Sequence, residues 1–107
     1  MRDLAFQPRR SGRTTQFIES LPDIGEKIYV VAGNMGIAKA IMFNIRAIRG
    51  EQFSFKVVLY SIKSLEMLRS IDPTKIFFEH TAYELADVDT LKQIYEIEDR
   101  AKLWESL

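Results

Sequence analysis

The chain reads as a small three-layer α/β domain, with a sheet of three or four mainly parallel strands flanked by helices. Three observations predict this. Short β-branched or aromatic runs alternate with longer segments of helical period, an order that needs crossovers and hence parallel strands. Two of the runs carry apolar residues on both faces, as strands covered on two sides do. Finally, 107 residues with 47% apolar and 28% charged side chains supply one core, without a second domain.

The elements follow in order. Residues 4–7 (LAFQ) are expected as an opening strand, with a turn at SGRTT and a short helix over 14–21 ended by Pro22. Residues 27–32 (KIYVVA) form a β-branched run stopped by Gly33, the pattern of a buried strand. In the next segment Ile37, Ile41, Ile45 and Ile48 recur at helical spacing with Ala38 and Met42. Asn34 is its N-cap and Gly50 its C-terminal cap. Residues 53–60 (FSFKVVLY) read as a second strand, with Phe53, Phe55, Val57 and Leu59 on one face and Val58 and Tyr60 on the other. A short helix over 64–70 packs through Leu65 and Leu68 and stops before Asp72-Pro73. Residues 75–79 (KIFFE) give a third strand, followed by a polar loop. A long helix spans 88–105, capped by Asp87 or Asp89, with an apolar stripe of Leu91, Ile94, Tyr95, Ile97, Ala101 and Trp104. Its wet side carries Glu96/Arg100 and Glu98/Lys102 at i,i+4. Phe43, Phe53, Phe55, Phe77, Phe78 and Trp104 are expected in the core rather than as stacking platforms.

Composition removes several function classes. Without cysteine there is neither a disulfide framework nor a thiolate zinc site. Apolar runs fall far short of the roughly 20 residues of a membrane span, and the basic N-terminus lacks the apolar stretch of a signal peptide. A cytoplasmic protein is expected, host-cytoplasmic if phage-encoded. Net charge is zero but uneven: residues 1–50 hold eight Lys/Arg against four Asp/Glu, and residues 51–107 hold seven against eleven. Arg2, Arg9, Arg10 and Arg13 concentrate positive charge at the N-terminus, whose first ten residues are expected to be flexible. Such clustering attracts nucleotide, nucleic acid or an acidic protein surface, and a solvated tail is the plain alternative.

QPRRSGRTT, residues 7–15, lies close to the phosphate-loop pattern G-x-x-x-x-G-K-[ST]. Gln7 stands at the first glycine, Gly12 at the second, Arg13 at the lysine and Thr14 at the Mg²⁺-binding hydroxyl. At a strand-to-helix junction the amides of such a turn converge on an anion. PRRSGRTT, the strand and turn IYVVAGN and the later IFFEHTAYE together resemble the front half of the ATPase core of phage large terminases and related helicase-like P-loop proteins. The likeness covers about residues 5–84 and implies phosphate binding by Arg10, Ser11, Gly12, Arg13, Thr14 and Thr15. It implies ATP and Mg²⁺ as cofactors, with Thr14 and Glu79 at the metal. It also places Glu79 where the family has its Mg²⁺-organising Asp and His80 where it has the water-orienting Glu, with Glu84 as a substitute. An Arg fork is not equivalent to a lysine ammonium, and a strand that senses the γ-phosphate has no counterpart after residue 84. Catalytic positions are therefore degenerate, and binding is expected rather than efficient catalysis.

Two further readings stand beside that one: a slow NTPase completed by a partner or by self-association into a homodimer, and an inhibitor or adaptor that binds a host or phage protein without nucleotide. His80, the single histidine, reads first as a strand-end residue making structural hydrogen bonds. Glu79, Glu84, Asp87 and Asp89 could gather a hard metal, but helix capping accounts better for Asp87 and Asp89. AGNMG, residues 32–36, lacks the G-x-G-x-x-G spacing of a dinucleotide fold.

Overall fold

The computed structural model describes residues 3–106, with side chains from residue 12 onward. Helix α1 spans Asp3–Ser20, strand β1 Ile28–Ala32, helix α2 Met35–Arg49 and the single turn α3 Glu51–Ser54. Strand β2 covers Val57–Ser61 and leads into two 3₁₀ segments, Ile62–Leu68 and Pro73–Lys75. Strand β3 (Ile76–Phe78), the short helix α4 (His80–Glu84) and helix α5 (Val88–Glu105) complete the order.

The strands are parallel in the order β2-β1-β3, with Val30 opposite Leu59 on one side and Phe77 on the other. The central strand is covered on both faces, which is why KIYVVA is apolar without alternation. Ile28, Val30 and Ala32 meet Ile18, Leu21, Ile41 and Ile45 from α1 and α2. Val31 points the other way, into a second cluster with Leu65, Leu68, Ile94 and Ile97. Val30 and Val31 are both fully buried, a gain of about 2 kcal/mol each from apolar area alone. Helices on both faces of a parallel sheet give the three layers expected from the order of elements.

Helix α2 forms where its apolar spacing and caps agree. The Asn34 side chain accepts the Ile37 N–H at 2.8 Å, and Ala38, Ile41 and Ile45 turn one stripe into the core. Gly50 ends it at φ 92°, a conformation that side chains rarely adopt, and Arg46 and Arg49 sit at its negative end. Arg49 also fastens the first layer: its Nη1 donates to the carbonyls of Ile18 and Leu21, both at 2.8 Å, satisfying the end of α1. The same guanidinium lies 4.1 Å from the centre of the Phe53 ring.

Four expectations need correction. Residues 4–7 belong to α1, so the sheet has three strands among the described residues and no strand precedes SGRTT. Residues 53–56 are not strand: the chain makes α3 directly after Gly50 and enters β2 only at Val57. The polar loop after β3 holds α4, started by the Glu79 side chain. Phe43, Phe55 and Trp104 are exposed at 72%, 73% and 53%, leaving Phe53 buried and Phe77 and Phe78 half-buried. Helix α5 matches its expected bounds, with Asp87 as the N-cap. No helix among the described residues is long and apolar enough to cross a membrane.

Candidate functional site

Strand order reverses at β1: the chain first crosses through α2 to β2, then returns to place β3 on the other side. In open parallel sheets such a reversal opens a crevice at the carboxyl ends of the two strands, the usual seat of a ligand. The turns that meet there are Gly33-Asn34 after β1 and Glu79-His80-Thr81 after β3.

The crevice is closed by hydrogen bonds and by packing. Gly33 N–H donates to Thr81 Oγ1 at 3.0 Å, and the Thr81 hydroxyl donates to Glu79 Oε1. Thr81 N–H reaches the same Glu79 oxygen at 3.0 Å, capping α4. His80 Nδ1 lies 2.5 Å from the other oxygen, Oε2. Glu79 is 1% exposed, and both of its oxygens are engaged. A side chain at Gly33 would meet Leu85 Cδ1 at 2.5 Å and the Thr81 carbonyl oxygen at 2.7 Å. Only glycine allows α4 to sit this close to the end of β1.

This network is a clasp joining β1, β3 and α4. Glu79 and His80 do come together, but their polar atoms serve the fold. Among the described residues no buried side-chain nitrogen or oxygen lacks a partner, and His80 Nδ1 is held by Glu79. Thr81, the adjacent hydroxyl, is buried, donates to the same carboxylate and accepts from Gly33 N–H, so it is built into the clasp.

The phosphate-loop residues take a different position from the one their spacing suggests. Helix α1 runs unbroken through Gly12, Arg13, Thr14 and Thr15, so their amides join the helical ladder. The converging-amide geometry expected at a strand-to-helix turn is thereby overturned. Arg10 and Ser11 side chains lie outside the described residues. Arg13 does reach the carboxyl side of the sheet, where its Nη2 lies 3.4 Å from the Glu84 carboxylate on the surface. Thr14 is half-buried, and Thr15 is exposed. Glu84 closes α4 at the end opposite Glu79, about 7 Å along the axis, so it does not join the Glu79 carboxylate in a two-acid site. Among the described residues there is no group of three or more His, Asp or Glu that could hold a metal. Asp87 acts as a cap: it accepts the Thr90 N–H at 2.8 Å, which holds its carboxyl below the usual range.

An apolar concave surface lies elsewhere. A cleft of about 370 Å³ follows the outer edge of β3. Phe17 of α1 forms one wall, Ile97 and Lys102 of α5 the other, and Ile76, Phe77 and Phe78 the floor. Tyr83 stands beside it, its ring edge-on to Phe78 with centroids 6.1 Å apart and its hydroxyl bonded to Glu98. Burial first, and then the Glu98 carboxylate, push the Tyr83 phenol well above its ordinary range, so it stays a donor. Sequence reasoning missed this cleft because its residues come from four distant segments. The available signal was the adjacent pair Phe77-Phe78, which puts aromatic side chains on both faces of one strand.

Comparison with protein-family models, curated proteins and solved structures gives no match, so the reading of this chain rests on its own residues and geometry.

Proposed function

We propose that this chain acts by binding a protein partner, through the cleft along β3, and that it is not an efficient enzyme. One observation carries the reading: the polar groups at the sheet's carboxyl edge are spent on the clasp, while the large apolar concavity lies at the open strand edge. Concave, mostly apolar surfaces with a few polar groups are the usual seats of recognition. Catalysis needs a free acid, base or nucleophile, and Glu79 and Thr81 are not free.

Nucleotide binding loses its support with the helical SGRTT segment, and the Arg13 guanidinium is already met by Glu84. By descent the chain is a relative of P-loop ATPase cores on this reading. The relation is supported by IYVVAGN and IFFEHTAYE, which fold as neighbouring strands with their following turns. On that view this is a phage-type cytoplasmic adaptor in which the nucleotide groove has given way to a packed clasp.

The test is photocrosslinking in extract of the native host, with benzoylphenylalanine at position 17 in the cleft or at position 35 on the carboxyl side. Discrete protein adducts at position 17 alone are expected. Adducts at 35 alone, or ATP-Mg²⁺ heats at millimolar nucleotide in calorimetry, would overturn the reading.

A further inference from the structure

Strand β3 is short, and its hydrogen-bonding direction can be worked out residue by residue. Glu79 N–H donates to the Val31 carbonyl at 2.9 Å, so position 79 faces β1. In a parallel ladder alternate residues face the same neighbour, so Phe77 also faces β1 while Ile76 and Phe78 face outward. Ile76 N–H turns back to the Pro73 carbonyl. The Ile76 carbonyl and both main-chain groups of Phe78 point into the cleft, with no partner among the described residues.

These groups lie on the floor of a groove, between α1 on one side of the sheet and α5 on the other. A strand added to a sheet lies about 4.8 Å from its neighbour and sends side chains alternately to both faces. The groove provides for both: Phe77 and Phe17 form an apolar wall on the α1 side, and Phe78, Ile97 and Ala101 form one on the α5 side. Two charges stand at the rim. Glu98 is half-buried and accepts from the Tyr83 hydroxyl, so the exposed Lys102 ammonium is the more accessible of the two charges.

We propose that the cleft accepts one extended polypeptide segment of a partner protein, which adds to β3 as a fourth strand and places an acidic side chain against Lys102. This rests on the binding reading above and specifies its mode. Main-chain hydrogen bonds to Phe78 and Ile76 supply the attachment, and successive apolar side chains fill the two walls in turn. A second copy of this chain fits less well. Its β3 would have to enter between α1 and α5 of the first, and a groove of about 370 Å³ suits a single segment.

The test uses a displayed library of random nonapeptides, selected on the full chain and resynthesised. Selected peptides are expected to carry a short run of consecutive apolar residues, one for each wall in turn, with Asp or Glu beside it, and to bind the Lys102→Glu protein at least about tenfold more weakly. N-methylation at alternate residues should lower affinity about tenfold or more, while methylation at the intervening residues leaves it unchanged. Ala101→Trp, which fills the groove, should abolish binding. Lys102→Glu changes an exposed residue and keeps the question open to decision if Ala101→Trp fails to fold. Failure to select any peptide, affinity indifferent to the pattern of N-methylation, or a dimer dispersed by Lys102→Glu would each overturn the proposal. Crosslinks at position 17 combined with methylation-indifferent binding would sink the strand mode alone. Their absence would sink the binding reading with it.

Discussion

Replacing Gly33 by alanine tests the clasp most sharply. The added methyl would sit 2.5 Å from Leu85 Cδ1 and 2.7 Å from the Thr81 carbonyl oxygen, against ordinary contacts of about 3.5 Å. Leu85 is exposed and its side chain can swing aside. The Thr81 carbonyl cannot, because it accepts the Leu85 N–H at 3.0 Å while the Thr81 hydroxyl holds Gly33 N–H at 3.0 Å. Relief therefore requires α4 to move off β1, weakening the Glu79-Thr81 bonds. Overpacking of this kind costs about 1–3 kcal/mol, and the upper end applies where main chain must shift. Against it stands a gain of about 0.4–1 kcal/mol from restricting the unfolded chain. The net is about 2 kcal/mol, or a Tm lower by about 10 °C for a domain of this size. Urea and thermal unfolding followed by far-UV circular dichroism measure it, since the exposed Trp104 is a poor reporter. Pairing Gly33→Ala with Leu85→Ala should recover only part of the loss. A Gly33→Ala protein as stable as the parent would refute the claim that α4 is packed against the end of β1.

Other outcomes follow from the same geometry. Glu79→Ala strands the buried Thr81 N–H and hydroxyl and should cost about 3 kcal/mol, with Glu79→Gln intermediate, both read by urea midpoint. Gly12→Ala should stabilise by about 0.5–1 kcal/mol in thermal unfolding, because Gly12 lies in a helix with open space where a methyl would go. In a phosphate loop the same change would be damaging. Arg49→Lys should lose about 1–2 kcal/mol, since an ammonium cannot hold both α1 carbonyls and cover the Phe53 ring. Asp87 has a depressed carboxyl pKa, so its contribution is present above the unfolded value near pH 4 and is lost as pH falls through the folded value. Asp87→Asn keeps the cap but should make stability fall less steeply below about pH 4.

The parts of the fold written in local pattern were legible in the sequence. Helices α2 and α5 carry caps and apolar stripes long enough to show their period, and β1 is a β-branched run closed by Gly33. The parts decided by distant packing were not. LAFQ is too short to separate strand from helix, and Pro8 and Gly12 both argue locally against the helix that Ile18 and Leu21 anchor. FSFK alternates like a strand, yet Gly50 turns the chain so that Phe53 is buried and Phe55 is left in solvent. HTAYE is too short to show a helical period, and its cap is a glutamate rather than one of the usual capping residues. For the site, the resemblance set Glu79 and His80 at degenerate catalytic positions, while the residues themselves read His80 first as a maker of structural hydrogen bonds, as its contact with Glu79 is. Only the three-dimensional setting reveals that the carboxylate is consumed by Thr81 and His80.

The central claim is that β3 presents an open edge for a partner, and amide hydrogen exchange of the free protein tests it directly. Phe77 and Glu79, which face β1, should exchange slowly, and Phe78 between them should exchange orders of magnitude faster. Equal protection of all three amides would mean that the edge is already covered, and would contradict the account.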